Sequence, residues 1–334
     1  MDSLDQYLLF LLKKLVRPRK LPFLHAVMTG RRIGQTIQDI HLFKAEAYFG
    51  LLPNLSKELL QERCEKLLRS GAILQSENGF ILAIDFSTPD FLRKDWNGFR
   101  ACNRPQQFFK RLMLLVQVLS NKKYDKAHYL PIIRDKEVQI FIKQWLNRYG
   151  KNEQIRTNLH EELYRFSANQ PYPELYIYRL SGGDWIGETA AQIAEKLALP
   201  LYESYFEWRY GLEQLILAPA AFPILQTLIA PVFSNLTNSS YFTYEKMKQG
   251  MSSKQLASIR NLKLSTIQDH IVEIAATLPT EFPLTINQEI QKALQETEYT
   301  SLKEIKQLFP EWSYFDIRLA VVLERSLNEA RAST

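Results

Sequence analysis

Between residues 254 and 270 the chain gathers Lys254, Lys263, Ser265, Thr266, Gln268, Asp269 and His270. These are short hydrogen-bonding side chains and cations, with no nucleophile set beside a base. Such a set recognises an anionic polymer; it does not break bonds. Lysine ammonium groups neutralise phosphates, hydroxyl and imidazole groups donate to phosphate oxygens, and a glutamine amide pairs bidentately with an adenine edge. Ser265 and Gln268 are therefore the expected base contacts, and Lys254, Lys263, Thr266 and His270 the expected phosphate contacts. Asp269 works against binding at a groove unless it accepts from a cytosine amino group. Arg31 and Arg32 form a second basic pair far upstream.

The elements that must position these residues are legible around them. Ser252 is a good helix N-cap, and Gln255 three residues on completes a capping-box pattern. Leu256, Ala257 and Ile259 supply the apolar side of a short helix. Arg260-Asn261-Leu262 reads as a turn, where Asn261 tolerates the left-handed backbone of a tight corner. A second helix follows, with Ile267, Ile271 and Ile274 at helical spacing and Ser265, Gln268, Asp269 and Glu273 off that face. Two short helices, a tight turn and a polar outer face make a helix-turn-helix.

Three groups of residues resemble a known family: Gly250-x-Ser252 with Gln255-Leu256-Ala257, then Ser265-Thr266-Ile267-x-x-His270, and a distal Ser313-Tyr314-x-x-Ile317-Arg318. Together they resemble the helix-turn-helix domain at the C-terminus of RecQ-type and related helicases. That domain also occurs in stand-alone bacterial proteins of the YpbB type, whose genes often neighbour a RecQ-like helicase. Gln35-Thr36-Ile37-Gln38-Asp39 matches the stand-alone proteins as well, so the resemblance spans most of the chain. The chain departs from the pattern at Lys263, where related sequences place a Ser or Thr cap. The resemblance implies two partners, DNA and a RecQ-like helicase; neither composition nor spacing implies the second.

With 334 residues, 46% hydrophobic and 23% charged, the chain is globular and long enough for two or three domains. The net charge of +6 is mildly basic, which is compatible with nucleic acid without requiring it. Cys64 and Cys102 are far apart and lack metal-ligand spacing, which points to a reducing compartment and away from zinc. The apolar run Leu8 to Leu12 has acids before it and Lys13-Lys14 after it, the reverse of a secretory signal. Pro219, Pro223 and Pro231 interrupt the apolar stretch 215–233, which reads as buried core, not a membrane span. A cytoplasmic location with no membrane partner is expected.

In chain order, Leu4 to Val16 reads as an amphipathic helix stopped by Pro18, another helix begins near Thr36, and Ser56 caps a third whose Leu60, Cys64, Leu67 and Leu68 share a face. Ile73 to Gln75 and Phe80 to Ile84 flank Asn78-Gly79, a hairpin signal. Helices followed by a hairpin form the winged-helix plan. Two uses stay open: a second DNA-contacting module with Arg31 and Arg32, or a scaffold, since the wing carries Glu77 and no cation. Pro89 to Pro105 reads as a connector, and Gln106 to Ala168 as helical core with aromatic stripes.

Gly182-Gly183-Asp184-Trp185-Ile186-Gly187-Glu188-Thr189, after a possible strand at Leu175 to Leu180, mimics a phosphate-binding loop. Glu188 occupies the place of the required lysine and Asp184 lies in the cradle, so a polyphosphate would be repelled. The segment fits better as an internal copy. Gly187-x-Thr189-x-x-Gln192-Ile193-Ala194 followed by Leu199 repeats the spacing of Gly250-x-Ser252-x-x-Gln255-Leu256-Ala257 followed by Leu262. Its second helix carries Tyr202, Glu203, Tyr205, Phe206, Glu207 and Trp208, which suit packing better than a DNA groove. Pro279 to Pro283 closes the main unit, and helices are expected over Ile286 to Glu296, Ser301 to Phe309 and Ser313 to Ala330, where acids outnumber bases.

The five histidines show no catalytic grouping, and no nucleophile elbow, dinucleotide fingerprint or calcium loop is present. The expected fold is mainly α, with helix-turn-helix modules and a small β-hairpin wing in the N-terminal domain. The expected domains are 1–90, winged-helix-like; 91–240, helical with a degenerate helix-turn-helix at 187–210; and 241–334, the helicase-type helix-turn-helix with a C-terminal helical set. A non-enzymatic DNA-binding accessory protein without cofactors or metals follows. Its rivals are a transcription regulator and a protein adaptor whose helix-turn-helix units serve only for packing.

Overall fold

A computed structural model describes residues 1–126, 128–282, 290, 294, 299 and 301–332. These residues are mainly helical, with one two-stranded antiparallel sheet. They divide into two compact units. One comprises Met1–Leu4, Pro89–Trp96 and Asn103–Ala230; the other comprises Asp5–Thr88, Asn97–Cys102 and Pro231–Thr334. Asp5–Thr88 and Pro231–Thr334 thus share one unit, where the sequence pattern suggests separate domains at 1–90 and 241–334. The reason is a shared core: Leu42 lies in one apolar cluster with Ile305, Ile317, Ala320 and Val321.

The middle unit is built on the helices Arg104–Lys123, Lys136–Tyr149, Ile155–Ala168 and Leu201–Leu217. Phe108, Leu112, Leu115, Ile142, Trp145, Trp208 and Leu212 form its core, so the aromatic stripes are packing residues. Buried Glu162 accepts from the N–H groups of Ile224 at 2.9 Å and Leu225 at 2.9 Å, satisfying the start of the short helix Pro223–Gln226. Leu175 to Leu180 is not a strand. Glu174–Ile177 forms one helical turn there, with Leu175 and Tyr176 turned into the core.

In the unit formed by the chain ends, the helix Ser3–Leu15 is followed by Leu21–Thr29, Gly34–Leu42 and Lys57–Arg69. The Leu21–Thr29 helix had no signal of its own in the sequence pattern. Ser56 caps Lys57–Arg69 by accepting from Leu59 N–H at 3.1 Å. Strands Ile73–Ser76 and Gly79–Leu82 then pair with Ile73 opposite Leu82 and Ser76 opposite Gly79. Arg19 adds a bridge to this hairpin, exchanging two backbone hydrogen bonds of 2.9 Å with Phe80. Gly79 is required at that junction. Its φ is +122°, and a β-carbon would fall 2.3 Å from the Arg19 carbonyl.

The helix Leu264–Thr277 is the centre of this unit. It packs against Gly34–Leu42, Asn238–Lys248, Ser253–Ile259 and Tyr314–Ala332. Ile267, Ile271 and Ile274 are 2% exposed or less, and each such side chain contributes about 1.5–3 kcal/mol of burial. Helices Leu302–Leu308 and Tyr314–Ala332 complete the C-terminal set. The expected helix at Ile286 to Glu296, and Pro283 before it, lie outside the described residues except for Ile290 and Leu294, which are buried. Among the described residues no helix is long and apolar enough to cross a membrane.

Candidate nucleic-acid interface

The helix-turn-helix is assembled by local hydrogen bonds. Ser252 accepts from Gln255 N–H at 3.4 Å, and the Gln255 side chain accepts from Ser252 N–H at 2.8 Å. This reciprocal pair fixes the start of Ser253–Ile259. Asn261 has φ of +49°, and Leu262 N–H closes back on Ala257 O at 3.0 Å. Lys263 is the extended residue before Leu264–Thr277 and provides no side-chain cap. The helix therefore begins where expected, with an open N-terminus that favours an anion.

The middle unit repeats this construction. Thr189 and Gln192 form the same capping box, Ala198 has φ of +51°, and Leu199 N–H bonds Ala194 O at 2.9 Å. The following helix turns Phe206, Trp208 and Leu212 into the core, so this copy is committed to packing. Lys126 pairs with Asp184 and Lys196 with Glu188, which anchors the loop that mimics a phosphate cradle.

In the C-terminal copy, Lys254, Lys263 and Ser265 are exposed, while Thr266 and Gln268 are half-buried. Lys254 lies at the start of the first helix of the motif, and the other four lie at the turn and in the first helical turns after it. Every residue from His270 to Leu278 is buried, because neighbouring helices cover the second helix beyond its start. Only its N-terminal end can meet a ligand.

Two residues expected at DNA have structural roles instead. His270 is 9% exposed, and its Nδ1 lies 3.0 Å from Thr243 Oγ1 and 3.3 Å from Arg260 Nη1. Burial, and then the Arg260 guanidinium, push its pKa below the ordinary value, and its Nδ1 accepts from Arg260. Arg32 donates to Thr277 Oγ1 and to Phe99 O, both at 2.8 Å, and lies 4.0 Å over the Phe99 ring. Arg31 beside it is exposed. Asp269 is half-exposed, and Arg318 Nη2 holds its Oδ1 at 2.7 Å, so Arg318 reaches the interface through Asp269.

Arg260, read from the sequence only as part of a turn, is the pin of the motif. It donates to Ser239 O at 2.9 Å, Ser239 Oγ at 2.7 Å and Thr243 Oγ1 at 2.7 Å. No local pattern announces this, since its partners lie on the preceding helix. Ile259, expected on the apolar side of its helix, is 64% exposed, and Leu264 is 39% exposed. Thr36-Ile37-Gln38-Asp39 and Thr266-Ile267-Gln268-Asp269 are identical tetrapeptides. Each lies in the first turns of a helix, and those two helices pack together, with Gly34 against the Asp269 carboxylate. Among the described residues no cluster of His, Cys, Asp or Glu is placed to hold a metal ion.

A family model described as a helix-turn-helix domain matches residues 239–321. Residues 239–321 are a helix-turn-helix domain. The match begins on the helix that carries Ser239 and Thr243, the partners of Arg260, and extends past Arg318, the partner of Asp269. The domain thus includes the helices that cover the second helix of the motif. Over 314 residues the chain is 28% identical to Protein YpbB of Bacillus subtilis, covering 87% of this chain and 89% of that protein. The similarity therefore extends well beyond residues 239–321. No solved structure matches the chain.

Proposed function

We propose that this chain is a non-enzymatic DNA-binding accessory protein, which grips duplex DNA largely without sequence preference and works with a separate RecQ-like helicase. The observation that carries the DNA part is the exposure pattern of the second helix. Lys263 and Ser265 at its open N-terminus are exposed, with Lys254 on the preceding helix, whereas everything from His270 onward is buried. Cations and hydroxyls gathered at an exposed helix start meet phosphates, and phosphate contacts carry no sequence information. The helicase partner rests on the family resemblance of the three motifs. A motor without its own terminal DNA-binding domains would gain duplex grip from modules supplied in trans.

A protein adaptor is the second reading. The 64% exposure of Ile259 and 39% exposure of Leu264 favour it, because apolar side chains at a phosphate surface gain nothing. Titration of random and selected duplexes at two salt concentrations separates the readings. Weak binding with a steep salt dependence and no sequence preference supports the accessory role, since phosphate contacts release counterions. Tight binding to one selected sequence supports a regulator, and no binding at low salt leaves the adaptor.

A further inference from the structure

A pocket of about 400 Å³ in the N-terminal part of the chain is lined by Arg19, Lys20, Gln35, Thr36 and Asn78, among others. Two helices begin at its wall. Leu21–Thr29 starts after Lys20 and Gly34–Leu42 after Ile33, and neither has a side-chain cap. In the second helix the first N–H used is that of Ile37, bonded to Ile33 O at 2.9 Å. The N–H groups of Gly34, Gln35 and Thr36 have no backbone acceptor among the described residues. Open helix starts attract anions, through their free donors and their dipoles.

One further observation points to a ligand. Thr36 is only 2% exposed, yet its hydroxyl makes no hydrogen bond to a described residue and is not sealed inside the protein; it opens into the pocket. Arg19 is engaged within the fold: its Nη1 pairs with Asp39 at 2.9 Å and its guanidinium lies 4.7 Å from the Phe23 ring. Lys20 at the mouth is exposed. The two carboxylates nearby, Asp39 and Asp269, are each held by an arginine, Arg19 and Arg318. The first helix adds few donors, since Pro22 has no N–H and the N–H groups of Phe23 and Leu24 bond Lys20 O; the open start of Gly34–Leu42, the Thr36 hydroxyl and exposed Lys20 leave this pocket short of one thing, an acceptor-rich anion.

We propose that this pocket binds a phosphoryl group. Lys20 neutralises it, and the Thr36 hydroxyl and the N–H groups of Gln35 and Thr36 donate to its oxygens. The DNA backbone is the source if the proposed function holds; a small phosphorylated molecule is the other source of the same chemistry. Because inorganic phosphate probes the pocket without DNA, failure here and failure of the DNA-binding reading are distinguishable.

The test uses the full chain and two variants, Lys20→Gln at an exposed position and Thr36→Val, which removes the hydroxyl. Inorganic phosphate is titrated at constant ionic strength while the backbone amide signals of Gly34 to Thr36 are followed. Saturable shifts are expected in the parent protein, weakened about fivefold by Lys20→Gln and about threefold by Thr36→Val. Lys20→Gln, being exposed, keeps the test valid if Thr36→Val fails to fold. No saturable shift, or equal affinity in the parent and Lys20→Gln, overturns the proposal. A duplex titration with the same variant then identifies the source. A lower affinity with a salt slope reduced by about one assigns the phosphoryl group to DNA, whereas unchanged duplex binding beside weakened phosphate binding assigns it to a small ligand.

Discussion

Arg318 neutralises Asp269, Nη2 to Oδ1 at 2.7 Å, and so removes the repulsion this carboxylate would exert on a phosphate. The pair is half open to water, with side-chain exposures of 18% and 47%, so it contributes no more than about 1 kcal/mol to stability. Its larger effect is on charge at the mouth of the interface. Asp269→Asn should raise affinity for every duplex by about two- to fivefold, the effect of one charge near a helix start, and should barely change stability. Weaker binding confined to sequences with cytosine at one position would show instead that Asp269 accepts from a base.

Arg31 and Arg32 are neighbours with different work. Arg32 is held by Thr277, Phe99 O and the Phe99 ring, and Arg32→Ala should cost about 2 kcal/mol through the lost ring contact and an unpaired carbonyl. Exposed Arg31 should be replaceable by Ala without loss of stability. If Arg31 meets phosphate, that change lowers affinity uniformly and reduces the salt slope. Urea denaturation beside duplex titration checks both, and equal stability of the two variants would contradict the assignment.

What could be read from the sequence was what is built from neighbours in the chain. The Ser252–Gln255 box and its copy at Thr189–Gln192 each close within four residues, so pattern alone locates them. The hairpin is likewise local, although its two turn residues are Glu77 and Asn78, one place earlier than the Asn78-Gly79 signal suggests, and Gly79 begins the second strand. The internal partners of His270, Arg32 and Asp269, namely Arg260, Phe99 and Arg318, are not legible in the sequence because they arrive from other elements. Polarity marks a residue as able to meet a ligand, and burial by another element then decides whether it does. Ile259 failed in the opposite sense: helical spacing gave it an apolar face that no neighbouring element covers.

His270 and His41 are buried, and burial lowers the pKa of each below the ordinary 6.5. Above pH 6.5 both states of the protein hold these rings neutral, and their contribution to stability is complete. As pH falls below 6.5 the unfolded chain takes up protons that the folded chain refuses, so stability declines, by up to about 1.4 kcal/mol per pH unit for each ring. Urea denaturation between pH 8 and 5 should show this decline, and His270→Gln should flatten it. His270→Gln should leave duplex affinity of the folded protein unchanged between pH 8 and 6. Binding that strengthens toward pH 6 only when His270 is present would return it to the phosphate contacts.

Lys263 and Gln268 separate grip from reading. Lys263 is exposed at the open start of the second helix, whereas Gln268 is half-buried one turn further along, where the covering helices begin. Lys263→Ala should weaken binding to all duplexes and lower the salt slope by about one, as expected for one lost phosphate contact. Gln268→Ala should shift affinity by less than about 1 kcal/mol on any sequence, below the roughly 1–3 kcal/mol of a good bidentate base contact. Titrating both variants against random and adenine-varied duplexes makes the comparison. A loss above that threshold, confined to sites with adenine at one position, would mean the helix enters the groove more deeply than its exposed first turns allow. It would also make the protein a reader of sequence.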